Sequence, residues 1–283
     1  MDTSETTAVG SARVTILNAG NLVLRLAEEM SVPEEVWRPN YAEAFDQRRL
    51  FPSQSVFIAL PGANILVDIN DYAATVAPDS PYLPPGYTPP PGIVQQLEAM
   101  GVHPDDVTQV AITHAHWDHF AGTTRRGTDG GFEPTFPHAR YYLGAADWTN
   151  PETQTALQDA GSLEARTSGA LHARGLLELV KGDRVIAEGV EIRHAPGESP
   201  GHQVVRVQSD GETLYALGDL FHDPVEAEHP EWMVTWADPG PMLATRQQVM
   251  ADALTENARL VAAHIPGVGR LVQEGSGARW AAV

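Results

Sequence analysis

Along the chain, short apolar runs bounded by glycine and proline alternate with a few segments of helical spacing. The first strand is predicted at residues 13–17, resumed at 21–26. A polar, proline-marked stretch follows at 31–52 and reads as an insertion or arm. The apolar runs 55–60 and 65–69 flank Pro61-Gly62-Ala63-Asn64, a turn composition that predicts a β-hairpin. Prolines crowd residues 78–91, which excludes a helix interior and predicts an extended surface loop. Residues 93–100 have helical spacing and stop at Gly101, and 107–113 form a short β-rich run. Further strands are expected at 140–143, 184–187, 191–195, 204–208 and 214–217, and helices at 144–148, 162–171 and 243–257. Strands in both halves, interrupted by single helices, predict an α+β chain built as a four-layer αββα sandwich. A length of 283 residues with 42% hydrophobic content suits one domain over 1–283.

Composition narrows the chemistry. With 18 basic and 37 acidic residues the formal charge is −19, which repels a phosphate backbone and excludes nucleic acid as a partner. The chain lacks an apolar run long enough to span a membrane, and its first ten residues lack a basic and an apolar region, so a soluble, cytoplasmic protein is expected. There is no cysteine, so any metal must sit on imidazole and carboxylate.

Such donors are concentrated in one place. Thr113-His114-Ala115-His116-Trp117-Asp118-His119 puts four potential ligands directly after a predicted strand. Alternate positions His114 and His116 point one way, while Asp118 and His119 turn toward a second point nearby. Further donors stand where later strands end. His202 follows a glycine- and proline-rich loop, Asp219 follows the run 214–217, and His264 follows the run 260–263. Imidazole with carboxylate suits zinc, iron or manganese. His138 and His172 stand apart from this pattern and read as surface or hydrogen-bonded residues.

These residues resemble the metallo-β-lactamase superfamily, whose H-x-H-x-D-H motif is matched by His114 through His119, with the later His, Asp and His in the same order. The resemblance covers nearly the whole chain. It implies two divalent ions, zinc first, with iron, manganese or cobalt as alternatives. One ion would take His114, His116 and His202, the other Asp118, His119 and His264, with Asp219 bridging both. Ile65-Leu66-Val67-Asp68 is similar to the family's early strand, which makes Asp68 a supporting residue behind the ligands. Gly218-Asp219-Leu220-Phe221-His222 and Ala262-Ala263-His264-Ile265-Pro266-Gly267 resemble the methyl parathion hydrolase branch, neighbour to the N-acyl-homoserine lactonases, and a homodimer is implied there. Other branches fit less well. The main zinc β-lactamases carry cysteine where Asp219 stands, and flavodiiron proteins have glutamate at the position of His116. Glyoxalase II enzymes use a basic C-terminal patch, whereas the final forty residues here hold four arginines and no lysine.

The implied reaction is hydrolysis of a small-molecule lactone, carboxyl ester or phosphotriester by a hydroxide shared between the ions. Asp118 is expected to orient that nucleophile or carry a proton, and His222 to donate a hydrogen bond to the substrate oxygen. Among the aromatics near the motifs, Phe120, Trp148 and Phe221 are expected against substrate. The alternatives are a β-lactam or thioester hydrolase on the same metals, or a mononuclear iron dioxygenase using three of the seven donors.

Overall fold

The structure, a computed structural model, describes residues 4–70, 83, 87–128, 130–275 and 277–283. Seven strands form the first sheet. It starts from β1 (Ser4–Val9), β2 (Ala12–Leu24), β3 (Arg49–Leu60), β4 (Ala63–Val67) and β5 (Gln109–Ala111). A two-strand ribbon, β6 (Thr124–Arg126) with β7 (Phe132–Pro134), then leaves the sheet before β8 (Arg140–Gly144) and β9 (Leu177–Val180) complete it. The second sheet runs in chain order through β10 (Arg184–Ala187), β11 (Val190–His194), β12 (Gln203–Ser209), β13 (Glu212–Ala216), β14 (Arg259–Val261), β15 (Gly269–Glu274) and β16 (Gly277–Ala282).

Period-two alternation decides which side chains fill which layer. Val14, Val56, Ile58, Ile65 and Val67 of the first sheet meet Ile192, Val205, Val207 and Leu214 of the second in one buried core. Their neighbours Leu17, Phe57 and Leu66 point the other way, onto Ile93 and Leu97 of the helix Ile93–Ala99. Likewise Val204, Tyr215 and Leu217 face Met242, Val249 and Ala253 of the helix Pro239–Glu256. Strands buried on both faces need near-continuous apolar sequence, which is why these runs were legible. The result is the αββα sandwich.

The predicted hairpin is present, with Val56 opposite Val67 and Leu60 opposite Ala63. The predicted strands at 13–17 and 21–26 are one strand, β2, bent by a bulge between Asn18 and Gly20. Of the loop expected at 78–91, residues 78–82 and 84–86 lie outside the described residues, and 87–91 have no regular structure. The stretch 31–52, expected as an insertion or arm, is folded and packs against the body of the protein. It contains the helix Glu34–Asp46, kinked at Tyr41 after Pro39, whose missing N–H and ring interrupt the helical ladder. Trp37 and Phe45 stack at 4.9 Å inside this helix and pack with Leu26, Met30, Phe51 and Trp232. Two aromatics carry the burial, so the segment's mean polarity conceals it.

Candidate metal centre

The site gathers at one edge of the sandwich, where β4, β5, β13 and β14 run out into loops. Asp68 ends β4 in a left-handed conformation, φ 58°. Its carboxylate accepts from the Thr113 amide at 2.7 Å and the Thr113 hydroxyl at 2.8 Å, and from His119 Nδ1 at 2.9 Å. A carboxylate or carbonyl partner can only accept, so the proton on such a ring nitrogen is assigned by its partner. His264 Nδ1 donates to Pro52 O at 2.8 Å and His202 Nδ1 to Ala195 O at 2.9 Å by the same logic. In all three rings Nε2 is turned toward Asp219, where it can ligate a cation once it carries no proton.

Two groups of donors result, the atoms of each within 4.8 Å of one another: His114, His116, Glu198 and Asp219, and Asp118, His119 and His264. Asp219 Oδ2 lies between them. It is 3.7 Å from His114 Nε2, 3.2 Å from His119 Nε2 and 3.2 Å from His264 Nε2. Of the seven donors predicted from sequence, six therefore fall in these groups. His202 stands beside the first, its ring 5.2 Å from that of His114 and its Nε2 3.2 Å from the Asp219 amide.

The donor set fits divalent cations. His119 Nε2, Asp219 Oδ1, Glu198 Oε2 and both ring nitrogens of His222 are buried without hydrogen-bond partners, a concentration that a folded interior does not tolerate without compensation. Electrostatics agree. Burial, reinforced by His119 and His116, holds His114 well below the usual imidazole range, and burial takes His202 down to about 3. Both rings are thus neutral, the form that ligates. For His119 and His264 burial also opposes charge, but Asp219 and Asp118 outweigh it and draw a proton onto each ring. That excess of carboxylate is what a bound cation would neutralise.

A cavity of about 380 Å³ opens over the site. His116, Asp118, Asp219, His222 and His264 form its polar end, and Leu22, Leu24, Leu26, Phe51, Val234 and Trp236 its apolar wall. No lysine or arginine lines it among the described residues. A larger hollow of about 710 Å³ beside Pro89–Gln95 has Arg125 as its one ionisable lining residue among the described residues, so the donor groups belong to the first.

Asp118 and His222, expected to be catalytic, both line the cavity. The three aromatics expected against substrate do not. Phe120 is buried in the outer core of the first sheet and Phe221 in that of the second, where the Arg246 guanidinium covers its ring. Trp148 stacks on His172 at 4.6 Å. Adjacency to a ligand in sequence placed the first two beside the motif, but each turns its ring away from its neighbouring ligand and into the core.

Sequence reasoning missed two acidic residues. Asp147 is buried and ties the histidine loop to the His202 loop, accepting from Ala115 N at 3.0 Å, Ser199 Oγ at 2.8 Å and Gly201 N at 2.6 Å. Glu198 sits in the His202 loop with Oε1 3.4 Å from His116 Nδ1, and burial pushes its carboxyl up to about 7. The available signal was a carboxylate four residues before a proposed ligand.

Comparison with known proteins agrees with this geometry. A family model described as the metallo-beta-lactamase superfamily matches residues 48–264. The chain belongs to the metallo-β-lactamase superfamily. Among solved structures, hydrolase AbOPH of the β-lactamase superfamily superposes with a TM-score of 0.79 at 19% identity, covering 100% of this chain and 98% of that one. AidC, a dizinc quorum-quenching lactonase in complex with a product, gives 0.74 at 19% identity, covering 100% and 99%. AiiA of B. thuringiensis with N-decanoyl-L-homoserine bound gives 0.62 at 17%, covering 91% and 94%. At such identities the likeness is one of fold. No curated protein matches the chain.

Proposed function

We propose that this superfamily member is a dinuclear hydrolase of uncharged lactones, carboxyl esters or phosphotriesters. The observation that carries the reading is the position of Asp219 Oδ2 between two donor groups, beneath a cavity with an apolar wall. One position would be held by His114, His116 and His202, the other by Asp118, His119 and His264, with Asp219 shared. The shared core between the sheets supports treating 1–283 as one domain. Zinc is the first candidate for both positions, given imidazole and carboxylate donors. Divalent cations bound there would supply Lewis acidity toward a carbonyl or phosphoryl oxygen and would acidify water.

The chain's own residues do the rest. Leu22, Leu24, Phe51 and Val234 exclude water around an apolar substituent and so fix which end of the substrate meets the polar floor. Asp118 faces the cavity and can take a proton from the attacking water and return it to the leaving group. His222 Nε2, 3.5 Å from Asp219 Oδ2, is placed to donate to the substrate oxygen.

β-Lactam antibiotics and glutathione thioesters carry carboxylates, which need a cation remote from the metal floor. The lining offers Glu29 instead. Parallel initial rates on a neutral acyl lactone, an aryl ester, a dialkyl aryl phosphate, a β-lactam and a glutathione thioester test this, with oxygen consumption followed alongside. The neutral substrates should turn over with no oxygen uptake. Preference for either anionic substrate, or oxygen uptake that matches turnover, would overturn the reading.

A further inference from the structure

Glu198 is unusual among the acidic residues of this chain. It is 3% exposed, one oxygen has no hydrogen-bond partner, and it does not line the substrate cavity. A buried, unpaired carboxylate is expensive to keep unless something cationic satisfies it. No arginine or lysine approaches it among the described residues. What surrounds it is the metal floor, with His116 Nδ1 3.4 Å and His222 Nε2 3.9 Å from Oε1.

Its position is also fixed from every side. Trp236 Nε1 donates to Oε1 at 2.5 Å, which sets the carboxylate plane. On the backbone, Gly197 takes φ 146° and its carbonyl accepts from the Asp238 amide at 2.8 Å, while Asp147 grips Ser199 and Gly201. A side chain anchored at this many points is a built feature and not a rotamer wandering near the site.

We propose that Glu198 is an additional oxygen donor to the cation position held by His114 and His116. The proposal rests on the reading that this floor binds divalent cations, and it extends the donor set beyond the residues assigned above. A carboxylate added to imidazoles makes that position harder and raises its coordination number above the four that zinc favours. The position should therefore accept manganese, iron or cobalt more readily relative to zinc than imidazole and Asp219 alone would. It also makes the two positions unlike, one rich in imidazole plus glutamate, the other built on Asp118.

The test compares wild type with Glu198→Gln, which keeps the shape and can still accept from Trp236. Chelated protein is titrated with Zn²⁺ and with Co²⁺ against a chromophoric chelator, and the visible spectrum of the cobalt form is recorded. One of two equivalents should weaken by at least the roughly 100-fold that loss of a supporting partner can cost, with the other unchanged. Its cobalt band should intensify as coordination number falls. Two equivalents bound as in wild type, with an unaltered spectrum, overturn the proposal while leaving the dinuclear reading intact; a wild type that takes up no metal overturns both. Melting of the chelated proteins checks folding. Should the variant not fold, the wild-type crystal grown with Zn²⁺ decides: a Glu198 oxygen at roughly 2.0–2.2 Å from zinc supports the assignment, and one out of bonding range overturns it.

Discussion

At the scale of single residues, the site depends on groups that never touch substrate. Asp68 holds both the Thr113 amide and His119 Nδ1, so Asp68→Ala should loosen metal affinity by roughly 10–100-fold, read by chelator competition. Affinity equal to wild type would reduce Asp68 to a turn residue. Gly218 is a sharper case. It takes φ 54°, and a Cβ there would lie 2.7 Å from Thr113 Oγ1 and 2.9 Å from His202 Nε2. Gly218→Ala should therefore displace His202 and lower metal content while the sheets remain folded, measured by elemental analysis together with circular dichroism. Full metal content in that variant would show that His202 is not held against this position. The clustering of six of the seven candidate donors was legible because their type and density are hard to explain otherwise. Glu198 and Asp147 were not legible, because a lone acidic residue in a loop is ordinary until its burial and partners are known.

At the scale of elements, the helix Pro239–Glu256 does more than cover the second sheet. It sends Arg246 into the interior, where it pairs with Glu226 at 2.5 Å and donates to Leu220 O at 2.7 Å and to the carbonyl of Trp232. Glu226 in turn accepts from the amides of His222 and Asp223, and although burial opposes its charge, Arg246 takes its carboxyl down to about 2. This buried pair shapes the segment between Asp219 and Trp236 that walls the cavity. Glu226→Gln strands the arginine and should cost about 3–5 kcal/mol, seen as a large drop in the unfolding midpoint in urea. An unchanged midpoint would contradict the pair's role. The kinked helix Glu34–Asp46 braces the same segment from outside, with Tyr41 hydroxyl donating to Glu228 at 2.9 Å. This brace was hidden from sequence reading, since its polar face and Pro39 outweigh two buried aromatics in any local average. The hairpin and the sandwich strands were legible because strands covered on both faces must be apolar throughout. Along the cavity, Leu24→Ala removes apolar surface worth about 1–2 kcal/mol to a substituent lying on it. The kcat/KM for a long acyl substrate should fall about tenfold, with little change for a short one. Equal losses for both would place the substituent elsewhere.

At the scale of the molecule, the formal charge of −19 and the carboxylate-rich floor act together to attract cations and to repel anionic substrates. Metal binding must also displace protons. In the metal-free chain Asp219 and Asp118 raise His119 and His264 above the usual imidazole range, so these rings hold their protons to higher pH than an ordinary histidine and must release them to ligate. Affinity should accordingly fall as pH falls, and calorimetry of zinc binding at neutral pH in buffers of different ionisation enthalpy should show net proton release. Binding without release would contradict that linkage. The central claim is that catalysis needs two cations gathered around Asp219. It is tested most directly by titrating chelated protein with zinc while following hydrolysis of a neutral acyl lactone. The account predicts that the rate climbs until two equivalents per chain are bound and then levels; a full rate at one equivalent, or a rate indifferent to zinc, would contradict it.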